Sequence, residues 1–166
     1  MINYNEAFNS AKLVPGAHKY LTEWKKNARK FRNIMLDQSK AEIDFMYSDN
    51  EDCKMDIFTP GPYTKASMIF LHGGFWTDYD KSYFSHLAMG SVLNDIRVVI
   101  PNLPKCPNFT IPEIGNEFVK CLKTVSRRFK GEIILVGHWF QLLVKQQQFK
   151  IVLILDMLLK LLEEDA

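Results

Sequence analysis

The residues best placed to do chemistry are His72, Gly73, Gly74, Phe75 and Trp76, which follow the apolar run 66–71 without a spacer. Two successive glycines carry no Cβ, so their backbone can take positive φ and bring N–H groups close to a ligand. Donors of that kind stabilise negative charge developing on a carbonyl oxygen during acyl transfer. Gly-Gly is equally common as plain turn punctuation, and the dipeptide alone leaves both readings open.

Other reactive side chains find no partners in the sequence. Ser82 and Ser85 lie beside His86 on an expected helix, where adjacent positions point in different directions. Cys106 falls in a proline-rich stretch with no base in view, the setting of an inert thiol. Cys53, Cys106 and Cys121 are odd in number and lack a C-x-x-C pair, which argues against a disulfide framework or a zinc site and for a reducing cytoplasm. The four histidines show neither H-x-x-x-H nor H-E-x-x-H spacing, so no metal is expected.

Positioning the glycine loop requires a sheet. Residues 66–71 read as a strand buried on both faces, as in a parallel sheet. Upstream, Trp24, Ala28, Phe31 and Met35 recur at helical intervals from Thr22, a candidate N-cap, with Lys25, Lys26, Arg29, Lys30 and Arg32 as a solvated face. Residues 41–48 alternate, with Ile43, Phe45 and Tyr47 on one side; residues 53–58 continue the pattern, giving an edge hairpin. Residues 80–94 read as a helix capped by Asp80, with Tyr83, Leu87 and Leu93 among its buried positions. Residues 96–100 and 132–136 read as two further parallel strands. Between them lie a proline-rich loop, 101–112, and a helix striped by Ile114, Phe118, Cys121, Leu122 and Val125. Strand, helix, strand, helix, strand predicts an α/β fold with a mostly parallel sheet and flanking helices. After Gly137 the pattern breaks: residues 145–162 are apolar all round, and 139–166 read as an atypical helical tail.

The bulk composition fits a globular domain: 166 residues, 47% apolar and 24% charged. A formal charge of +2 is too mild to imply a nucleic-acid partner. The start, M-I-N-Y-N-E, lacks the basic and apolar regions of a signal peptide, so a cytoplasmic location is expected. Residues 151–162, which include Asp156 and Lys160, are too short to span a bilayer, and no membrane association is expected.

The chain resembles the serine-dependent arylformamidase (kynurenine formamidase) and esterase branch of the α/β-hydrolases. The resemblance rests on Tyr4-Asn5, on M-D-I-F at 55–58, on H-G-G-F-W at 72–76 with Asp80-Lys81, on C-P-N-F-T-I-P-E-I at 106–114, and on I-L-V-G-H at 134–138. It covers 1–138, which it implies to be the N-terminal part of an incomplete α/β-hydrolase domain. By the same resemblance Gly73, Gly74 and Phe75 would form the oxyanion loop, and His72 would brace it through ring hydrogen bonds. His138 would be structural at the turn, and no cofactor would be needed.

In that family a serine follows Gly-His, in the G-H-S-x-G turn that exposes the nucleophile. Here Trp139 occupies the nucleophile position and Gln141 replaces a glycine. The resemblance therefore implies descent from hydrolysis of a small ester or N-formyl aromatic amide, with the chain itself inactive and the acid and base absent. The alternative expectation is a non-catalytic protein that binds a small molecule or a partner on the same frame. An uncovered sheet edge would invite homo-oligomers or aggregation.

Overall fold

The computed structural model describes residues 14–137. Its first helix, α1 (Ala17–Asp37), begins five residues before the expected Thr22. The reason is the Val14-Pro15-Gly16 turn: Gly16 adopts φ 74° at the N-cap, and the Ala17 N–H donates to the Val14 carbonyl at 3.1 Å. Glycine reaches that left-handed conformation without a Cβ penalty. Ala28, Phe31 and Met35 are buried as the periodicity requires, while Trp24 lies at the margin with its ring 5.9 Å from Phe84.

Strands β1 (Ala41–Met46) and β2 (Lys54–Phe58) form the expected antiparallel hairpin. Ile43 and Phe45 do not share a face, however. The register shifts between Glu42 and Phe45, and Asp44 takes φ 59°. This bulge inserts a residue and reverses the alternation, so that Ile43 packs on the Phe31 side of the sheet and Phe45 on the Phe118 side.

Strand β3 (Ala66–Leu71) follows. Residues 80–94, expected as one helix, instead form two 3-10 turns, Lys81–Tyr83 and Ser85–Ala88, and a short helix α2 (Met89–Leu93). Asp80 caps the first turn, accepting from the Ser82 N–H at 2.7 Å. With three residues per turn rather than 3.6, the segment buries Lys81, Phe84, Ser85 and Ala88 and leaves Leu87 and Leu93 in solvent.

Strand β4 (Ile96–Pro101), helix α3 (Ile111–Arg128) and strand β5 (Glu132–Gly137) complete the described chain. The Glu113 carboxylate accepts from the Thr110 N–H at 2.8 Å, fixing the start of α3, and all five residues of its predicted apolar stripe are buried. The sheet order is β1-β2-β4-β3-β5; β4, β3 and β5 are parallel, and the hairpin joins β4 antiparallel. Along β4 the alternation is regular: Val98 and Ile100 meet Phe31 and Met35 from α1, while Val99 meets the Phe118, Cys121 and Val125 cluster of α3. The expected α/β fold with flanking helices is the one observed. The parallel strands end together at Leu71, Pro101 and Gly137, and the loops 72–80 and 102–110 leave from that common edge. His138, Trp139 and the tail expected at 139–166 lie outside the described residues.

Candidate functional site

The glycine loop is a tight turn built on Gly74. Its φ is 135°, and a Cβ there would sit 2.2 Å from the Asp78 carbonyl oxygen, so no other residue fits. The Gly74 carbonyl accepts from the N–H groups of Thr77 at 3.0 Å and Asp78 at 2.8 Å. Among the described residues the N–H groups of Gly73 and Gly74 donate to no protein acceptor. Phe75, Trp76 and Tyr79 hold positive φ values of 50°, 66° and 62°, each of which costs on the order of 1–3 kcal/mol for a residue with a Cβ. Such a loop persists only where its surroundings over-determine it.

Those surroundings are identifiable. His72 stacks on Phe84, with 5.1 Å between centroids and 11° between planes, and its Nδ1–H donates to the Gly73 carbonyl at 2.8 Å. Burial holds its pKa below the ordinary 6.5, which favours the neutral ring that this contact uses. On the other side, the Cys106 N–H donates to the Trp76 carbonyl at 2.9 Å, tying the glycine loop to the proline-rich loop. Leu71, His72, Gly73, Gly74, Phe75, Trp76, Pro101, Leu103, Pro104 and Lys105 enclose a cavity of about 50 Å³. It is mostly apolar and has room for only a few water-sized groups.

Behind the loop lies a cluster that sequence reasoning missed. The Lys81 side chain is 6% exposed, and its Nζ donates to Asp56 Oδ1 at 2.5 Å and to Asp44 Oδ1 at 2.6 Å. Asp56 is wholly buried, and its Oδ1 also accepts from the Asp44 N–H at 3.1 Å, a contact that the β1 bulge makes possible. The Lys81 N–H donates to Asn102 Oδ1 at 2.7 Å. The signal was an aspartate within the buried strand M-D-I-F, since a buried carboxylate demands a cation.

The structure brings His72, Gly73, Gly74 and Phe75 together in one loop. Ser85 is buried with its hydroxyl 3.5 Å from the Lys81 carbonyl, and among the described residues neither Ser82 nor Ser85 bonds to His86. Cys106 contributes its backbone. Cys53 and Cys121 are core residues of the α3 face, and Cys53 Sγ lies 3.4 Å from Glu117 Oε2. Gly137 faces Leu71 in the last pair of the β3–β5 ladder, so the end of β5 lies beside the start of the glycine loop.

No protein-family model matches the chain, and no curated protein matches it. Solved structures do. A candidate thioesterase from a Silicibacter species superposes with a TM-score of 0.77 at 30% identity, covering 83% of this chain and 52% of that one. A thermophilic carboxylesterase from a metagenomic library gives 0.56 at 14% identity, covering 74% and 45%. Esterase B of Lactobacillus rhamnosus gives 0.52 at 17%, covering 72% and 43%. The chain thus spans about half the length of the structures it matches, and over that span it has the α/β-hydrolase fold. Among the described residues no helix is long and apolar enough to cross a membrane.

Proposed function

We propose that the chain is the N-terminal portion of an acyl hydrolase of the esterase or arylformamidase kind, and that with Trp139 in place of the nucleophile it does not itself turn over. The observation that carries this reading is the glycine loop. It leaves β3 at the carboxyl end of the parallel strands, beside the end of β5, with a backbone only glycine can adopt at 74 and two N–H groups that meet no protein acceptor among the described residues. Donors so placed can hold the oxygen of a tetrahedral intermediate while a nucleophile presented from the end of β5 attacks the carbonyl carbon. The substrate class is a small ester, thioester or N-formyl aromatic amide; the thioester is suggested by the Silicibacter likeness and the formamide by the sequence resemblance. Tryptophan offers no oxygen or sulfur to carry an acyl group, so this chain retains the electrostatic half of the site without the covalent half.

A second reading follows from the small apolar cavity beside the loop: a non-catalytic protein that binds a small carbonyl or carboxylate compound there. A melting temperature raised by such a ligand, with no turnover, would favour it.

Two measurements test the first reading. Assays with p-nitrophenyl acetate, an acyl-coenzyme A thioester and N-formylkynurenine should show no rate above buffer; turnover that a serine-directed organophosphate abolishes would overturn the assignment of inactivity. Reading the coding DNA across the codons for Gly137 to Gln148 in all three frames should reveal S-x-G, followed by a later Asp and His, in another frame. Their absence from every frame would make Trp139 authentic, overturn the reading as a damaged or truncated hydrolase, and favour the binding reading on the same frame.

A further inference from the structure

We propose that Lys81 is a positioning residue, which fixes the conformation of the glycine loop through its contacts with Asp44 and Asp56. Its meaning for chemistry rests on the oxyanion reading above, but the mechanical claim stands on its own contacts.

The loop is held at its near end by β3 and at its far end by Lys81. From there the side chain crosses to the hairpin, with Nζ shared between Asp56 on β2 and Asp44 at the bulge of β1. The backbone N–H of Lys81 is held by Asn102, whose own N–H donates to the Lys54 carbonyl at 2.8 Å and whose carbonyl accepts the Tyr47 hydroxyl. One residue thus ties the end of the loop to the hairpin and to the exit of β4. Between the two ends, the turn's hydrogen bonds include those onto the Gly74 carbonyl, Thr77 Oγ1 to Asp78, and Cys106 to Trp76. Three non-glycine residues at positive φ lie in that short span. They would relax toward ordinary conformations if the far end were released.

Stability alone is a weak account of the cluster. A buried ion pair gives up hydration on both charges, and an apolar replacement is often as stable. Asp56 Oδ2 is buried and makes no hydrogen bond among the described residues, so the carboxylate is not even fully used. What the pairing does provide is a single register for Lys81 against two strands.

The test is amide hydrogen exchange by NMR on the full chain, without substrate. The reporters are the N–H groups of Thr77, Asp78 and Cys106, whose acceptors define the loop, and the references are Val98 and Val99 in the sheet centre. Lys81→Met combined with Asp56→Asn leaves no buried charge unpaired and keeps a side-chain oxygen for the Asp44 N–H. The double variant should exchange at least ten-fold faster at the three reporters with the references unchanged; Asp44→Asn should give a smaller change of the same pattern. Reporters that do not move, or that accelerate only together with the references, would overturn the proposal. If the double variant does not fold, Asp44→Asn decides by the same criterion. Because exchange is read without hydrolysis, failure of the enzymatic reading and failure of this one are separate results.

Discussion

Gly137 at the end of β5 lies against Leu71 at the end of β3 so closely that a Cβ on Gly137 would stand 2.8 Å from Leu71 Cβ and 3.0 Å from its carbonyl oxygen. The absent side chain lets the two strands finish as immediate neighbours, which brings the start of the glycine loop and the end of β5 to one place. Both atoms it would strike belong to or adjoin the backbone and cannot swing away. Gly137→Ala should therefore cost about 1–3 kcal/mol through overpacking, read as a lower urea midpoint at constant slope. An unchanged midpoint would contradict this contact.

The two glycines of the loop should differ sharply. Gly74 takes φ 135°, and a side chain there would run into the Asp78 carbonyl, whereas a Cβ on Gly73 meets nothing within 4 Å. Gly74→Ala should lower stability by more than about 1 kcal/mol and expose the Thr77 and Asp78 amides to exchange. Gly73→Ala should stay within about 0.5 kcal/mol of the parent. Equal losses in urea titrations would show that the turn does not depend on Gly74.

Regular periodicity made most of the fold legible. The apolar stripe of α3 was readable because it repeats the 3.6-residue interval on one buried face, and β3 because it is a short, mostly apolar run that ends at two glycines. What escaped was set by contacts distant in sequence. The bulge at Asp44 serves an interaction with Asp56 and Lys81, which no local pattern encodes. The 3-10 turns after Asp80 keep apolar spacing compatible with an α-helix, and only the anchoring of Lys81 and the burial of Phe84 against His72 select the tighter form. The glycine loop was visible as H-G-G-F-W, but its strain at Phe75, Trp76 and Tyr79 was not, because those residue types do not favour positive φ.

His72 gives the site a pH signature. Burial lowers its pKa from 6.5, and His86 is lowered for the same reason. A histidine that stays neutral when folded but protonates when unfolded contributes stability that is complete above pH 6.5 and is lost as pH falls through the folded-state value. Urea midpoints should therefore decline between pH 7.5 and pH 5. His72→Asn should flatten that decline, leaving the part due to His86. A decline of equal steepness in the variant would mean that His72 is as solvated folded as unfolded.

The cysteines should separate by reactivity. Burial raises the Cys53 thiol to about 11, with the Glu117 carboxylate opposing ionisation as well, and pushes Cys121 higher still. At pH 8 a thiol of that pKa is ionised only to about one part in a thousand, and the thiolate is the species that reacts. Both side chains are also closed off from solvent in the α3 core, whereas Cys106 is partly exposed beside the glycine loop. Iodoacetamide on the native chain at pH 8 should thus label Cys106 first, with Cys53 and Cys121 slower by at least about a hundred-fold. In urea all three should react alike, which peptide mass spectrometry resolves position by position. Native labelling of Cys53 at the rate of Cys106 would show that the hairpin and α3 do not pack as described. Turnover of an activated ester that is lost in step with Cys106 labelling would identify a nucleophile where the geometry shows only a backbone donor.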